Sequence, residues 1–214
     1  MKNPSHRLLL LLLSADFVFI VLDLLYRYSS FISFEYFCLN QDRGYSEVFQ
    51  YIKIFWIALL LFAVFLRTRQ GIFLLLALLF GYLFVDDAFS VHGNLGLIIS
   101  DRWQWQPLWG LRARDFGELF VSFTIGSVFL SLGWLLYPGS AAFAQKIGRN
   151  FVKLIILLAV FGIGADMANI ISGTSLVGTM TAILDDGGEM IIMSLILGYT
   201  FSLTPPEDLG AVSS

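Results

Sequence analysis

Asp86, Asp87 and His92 close one apolar stretch of this chain, and Asp185, Asp186 and Glu189 interrupt another. Asp166, with Asn169 three residues on, sits in a third, and Asp16 and Asp23 in a fourth. Carboxylates from facing helices, with an occasional histidine, are how helical bundles hold hard or borderline divalent ions. With one histidine on the relevant side and a single cysteine, Cys38, the set favours Mg²⁺, Mn²⁺, Ca²⁺ or a carboxylate-rich iron site over structural zinc. The metal-ligand candidates are Asp86, Asp87, His92, Asp166, Asp185, Asp186 and Glu189, with Asp23, Glu118 and Asn169 in support. A carboxylate near a bilayer centre costs roughly 2.5–3.5 kcal/mol even on lenient insertion scales, so such acids face a partner, water or a bound ion.

Six apolar stretches must position these residues: 8–26, 48–66, 71–91, 119–137, 151–172 and 179–203. Each is long enough for a helix that crosses the hydrocarbon core, which takes about 20 mostly apolar residues. Hydrophobic residues make up 57% of the chain and charged ones 14%, with a mean hydropathy of +0.79. Soluble domains carry roughly 25% charged residues. The expected fold is an all-α integral membrane protein, a single six-helix transmembrane domain over 1–203 with a disordered tail at 204–214. Its partner is the lipid bilayer. Net charge is −3 and there is no basic stripe, which excludes nucleic-acid binding. Lys2 and Arg7 before a leucine run imitate a signal peptide, but the apolar pattern continues past Asp16 and no small-residue cleavage site follows, so the expectation is an uncleaved first helix.

Alternating helices place Asp23, Asp86, Asp87, Asp166, Glu118, Asp185, Asp186 and Glu189 near one face, the far face, where helix 1 ends. Each lies within roughly 15 Å of that surface at 1.5 Å per residue. Seven Lys/Arg fall on the near side and six on the far side, a slight positive-inside bias toward cytoplasmic termini in a bacterial inner membrane. Asp185 and Asp186 are i, i+4 and i, i+3 to Glu189, so the three share a face, and Gly187 and Gly188 between them admit a close neighbour. Aromatic loops at 29–47 and 93–115, the second holding Trp103, Trp105 and Trp109, are expected in the interface above this half.

Each signal has a structural rival. Asp16 and Asp23 can pair with Arg27 or a neighbouring helix, Asp115 and Glu118 can cap a helix start, and Asp166 can make a structural hydrogen bond. Asp86, Asp87 and His92 fall where the third helix exits, and carboxylates with a histidine at such an interface are often merely solvated. Lys53 either snorkels to the far surface or neutralises one of the carboxylates.

Val85-Asp86-Asp87-Ala88-Phe89-Ser90-Val91-His92 resembles the D-E-x-x-x-x-H-E run of a family of uncharacterised bacterial multi-pass membrane proteins. Gly164-Ala165-Asp166-Met167 is similar to that family's later acidic position, and Leu184-Asp185-Asp186-Gly187-Gly188-Glu189-Met190 to its E-E-x-x-E-M segment. Gly93 stands where the family usually has glutamate, and aspartates replace several glutamates, which would shrink or move a shared site. The resemblance implies that the acids form one constellation; it implies no activity.

Four functions compete. The first is a carboxylate-rich site that binds a cation such as a divalent metal. The second is proton- or cation-coupled transport, for which a six-helix chain would form a homo-oligomer. The third is an enzyme using the acids and His92 on a lipid headgroup, although zinc hydrolases of that kind need about three histidines. The fourth is an accessory or assembly subunit whose acids meet basic residues of a membrane-complex partner.

Overall fold

The computed structural model describes residues 4–108, 111–165 and 176–203. Within them lie seven α-helices and no strand: α1 Pro4–Tyr28, α2 Tyr45–Thr68, α3 Gly71–Phe89, α4 Val91–Arg102, α5 Ala113–Leu136, α6 Ala142–Ala159 and α7 Leu176–Ser202. A 3-10 turn, Glu35–Phe37, interrupts the first loop, and a π-helical segment, Val160–Ala165, follows α6.

Four of these helices, α1, α2, α3 and α5, are long and apolar enough to cross a membrane. Six spans were expected. The two other long helices carry three charges each: Lys146, Arg149 and Lys153 in α6, and Asp185, Asp186 and Glu189 at the middle of α7. The sequence pattern also starts the fifth helix too late. α6 begins at Ala142 because its first turns are amphipathic, burying Ala144 while the basic residues occupy the other side, and an apolar window does not register such turns. Its start is fixed by Gln70, whose side-chain oxygen accepts the Ala141 N–H at 2.8 Å.

The loop expected over 93–115 contains α4. Ser90, in the left-handed region at φ 50°, breaks α3 and starts this helix at once. Arg69, at φ 56°, makes the same kind of break between α2 and α3, which pack side by side as a hairpin.

The apolar core is built from Leu12 of α1, Ile54, Ile57 and Leu61 of α2, Phe73, Leu76 and Phe80 of α3, Phe151 of α6, and Ile196 and Leu197 of α7. α5 contributes nothing to this cluster. Its outer face instead exposes Phe123, Leu130, Trp134 and Leu135. Apolar patches of that extent are rare on soluble monomers and mark a surface that meets lipid or a partner.

Candidate functional site

Five charged residues, Asp16, Asp23, Lys53, Asp86 and Asp115, are buried among the described residues, while many large apolar side chains are exposed. Asp16, at the midpoint of α1, Lys53 of α2 and Ser194 of α7 are each 0% exposed. Lys53 Nζ donates to Asp16 Oδ1 at 3.0 Å, to the Met190 carbonyl at 2.8 Å and to Ser194 Oγ at 3.3 Å. The Ser194 hydroxyl in turn donates to Asp16 Oδ2 at 2.5 Å. The ring of Phe49 lies 4.9 Å below the ammonium, where the π face adds a further attraction. This cluster ties three helices together, and the sequence left the partner of Lys53 open between solvent and a carboxylate. The structure gives it Asp16.

Asp23, two turns further along α1 and also fully buried, holds Arg27 through both carboxylate oxygens at 2.9 and 2.8 Å. It also accepts the Leu39 N–H at 2.9 Å, so the aromatic loop is stitched to the end of α1. The same guanidinium donates to Asn40 Oδ1 at 3.0 Å and to Cys38 Sγ at 3.2 Å. Burial pushes the Cys38 thiol up to about 11, and the hydrogen bond to Asp23 pushes the same way, so it is a poor nucleophile at neutral pH.

Asp86 accepts the backbone N–H of His92 at 2.7 Å and contacts its ring Nδ1 at 3.0 Å. One carboxylate thus holds the first turn of α4, which has no side-chain cap at Ser90. The hydrogen bond to Asp86 raises the His92 pKa above its ordinary value, against the effect of burial. Asp87, in the same turn, offers its backbone carbonyl to the Tyr51 hydroxyl at 3.3 Å. Glu118 accepts from Arg114 Nε at 2.6 Å, and Asp115 caps α5 through the Arg112 N–H at 2.7 Å and its guanidinium. Both acids at the α5 start thus pair with neighbouring arginines.

On α7, Asp185, Asp186 and Glu189 are half-buried, and each has an interaction partner. Asp186 lies close enough to Arg27 to act on its charge. The Glu189 carboxylate rests on Gly162 of the π-helical segment, where a Cβ would fall 2.0 Å from Oε1, and the Phe161 ring rests on Gly188. Asp166 and Asn169 lie outside the described residues.

The expected carboxylates thus divide. Asp86 and His92 meet one another, Asp23 and Glu118 each meet an arginine, Asp186 lies near Arg27 of α1, and Glu189 rests on the π-helical segment. Among the described residues no group of three or more His, Cys, Asp or Glu has the geometry to hold a metal ion. Of the buried carboxylates, Asp16, Asp23 and Asp86 are committed to groups of this chain. Sequence reasoning missed Ser194; its signal was a lone hydroxyl in the apolar run from Met190 to Leu197.

Compared with known proteins, the chain matches the Domain of unknown function (DUF8692) over residues 11–203. It belongs to that family. The DUF8692 match covers nearly all the described helices, including the three that meet at Lys53. No curated protein and no solved structure matches the chain.

Proposed function

We propose that this DUF8692 chain is a multi-pass membrane protein that carries out proton- or cation-coupled transport. The observation that carries the reading is the buried Asp16–Lys53–Ser194 cluster at the junction of α1, α2 and α7. A buried ion pair is a poor device for stability, since desolvation offsets its attraction, and ionisable groups inside helices long enough to span a membrane mark ion pathways. The apolar exterior of α5 supports the membrane setting. Small residues and a π-helical segment beside α7 supply the irregular packing that a moving helix uses.

A binding site for a divalent metal has less support, given the commitments of the acids described above. The accessory-subunit reading has less support on α1 and α5, where Asp16, Asp23, Asp115 and Glu118 already pair with Lys53, Arg27, Arg112 and Arg114 of this chain. The test is flux. Proteoliposomes of the purified chain, loaded with a pH-sensitive dye and given an imposed cation gradient, should change internal pH, and Asp16→Asn should abolish the change. Identical traces for the wild type, Asp16→Asn and empty vesicles would remove the transport reading.

A further inference from the structure

We propose that the oxygens around Lys53 Nζ form a binding site for a primary ammonium group, in which the lysine side chain is the tethered occupant and a free ammonium-bearing cation is the ligand class. The proposal rests on the transport reading and names the chemistry of its site. Three acceptors surround the nitrogen: a carboxylate oxygen at 3.0 Å, a peptide carbonyl at 2.8 Å and a hydroxyl at 3.3 Å. An R–NH₃⁺ group has three donors and no acceptor, so the count matches.

The hydroxyl is oriented for this task. Ser194 spends its proton on Asp16 Oδ2, which leaves its lone pairs for the cation. Charge sets the valence. Asp16 is the carboxylate paired with Lys53 Nζ, at 3.0 Å, so the site matches one carboxylate to one ammonium. A divalent ion would leave an uncompensated charge in a buried place. Distances set the ion type, since Mg²⁺ and Ca²⁺ require oxygens at about 2.0–2.6 Å and about six to eight of them. The Phe49 ring face closes one side with a surface that favours cations.

A second observation extends the site along α2. Gln50, one turn from Lys53 on the same buried face as Ser46 and Ile54, has a buried side-chain oxygen with no donor among the described residues. Such acceptors are costly to leave unpaired. This one stands one turn toward the Tyr45 end of α2 from Lys53, an acceptor for a further N–H of a ligand that takes the place of the lysine ammonium.

Chemical rescue tests the assignment. Lys53→Ala removes propylammonium from the site and leaves its oxygens in place. Propylammonium added to the detergent-purified variant should raise its thermal midpoint saturably by about 5 °C or more, as a ligand of the native state does. Tetramethylammonium, which has the charge and no N–H, should not, and the double variant Asp16→Asn/Lys53→Ala should not respond to either. No rise with propylammonium, or an equal rise with both cations or in both variants, would overturn the proposal. Where Lys53→Ala yields no folded protein alone, production with propylammonium decides: recovery with it and not with tetramethylammonium supports the site, and no recovery overturns it. The two readings fail separately. Rescue without wild-type flux removes transport and leaves the ammonium site, and flux without rescue does the reverse.

Discussion

Gly96 of α4 and Gly117 of α5 bring two helix backbones into direct contact: a Cβ on Gly117 would lie 2.1 Å from the Gly96 carbonyl oxygen. Gly93, one turn earlier, leaves room for the Arg114 guanidinium and the Glu118 carboxylate. Small residues at such crossings allow the close packing that holds helices together where burial from water cannot.

Gly117→Val should therefore separate α4 from α5 and cost about 2–4 kcal/mol, in the range of severe overpacking against backbone. Gly126→Ala, further along the same helix with nothing within 4 Å of the new methyl, should be neutral or stabilise by about 0.5–1 kcal/mol. Denaturation midpoints of the two variants check the contrast. Equal effects would mean that the glycine contact does not hold α4 in place.

That contact also shows why α4 was not legible in the sequence. Gly93 and Gly96 lower helix propensity and punctuate a short apolar run, and both read as loop signals until the partner helix is present. The long apolar helices were legible because periodicity and length suffice for them. Which acids meet which bases was not. Asp16 and Lys53 are 37 positions apart, and Ser194 lies 178 positions from Asp16, so their meeting depends on the packing of α1, α2 and α7 rather than on any local spacing. Asp23 with Arg27 is the opposite case, an i, i+4 pair that the sequence alone offers.

The Asp16–Lys53 pair should behave as one unit. Removing either partner, as Asp16→Asn or Lys53→Met, leaves the other buried and should cost about 3–5 kcal/mol, whereas the double variant should recover most of that loss. Chemical denaturation of the four proteins in detergent gives the coupling energy directly. Losses that simply add would show two independent residues.

His92 predicts a pH dependence at the α3–α4 junction. Its pKa is raised above 6.5 in the folded protein by the hydrogen bond to Asp86, so the folded state holds the proton more tightly than the unfolded chain. The stabilisation is complete below about pH 6.5 and is lost as pH rises through the higher folded value. With the imidazole 38% exposed, solvent screening keeps the effect under about 1 kcal/mol. His92→Gln should flatten the stability profile above neutral pH. A slope in the variant equal to the wild type would assign the titration elsewhere.

Cys38 should resist alkylation. Its thiol is buried, its pKa is pushed up to about 11, and it lies in the network of Arg27, Asn40 and Asp23. A maleimide at pH 7 meets almost no thiolate and a closed site, so labelling of the native protein should be slow and should become rapid after denaturation. Asp23→Asn tests whether the network or mere burial protects it. That change weakens the grip on Arg27 and on the Leu39 N–H, which together hold the loop against α1. Labelling should then accelerate by about tenfold or more, because the loop opens without global unfolding. If Asp23→Asn labels at the wild-type rate while the chain stays folded, the loop is held by its apolar contacts, and the Asp23 cluster has some other role.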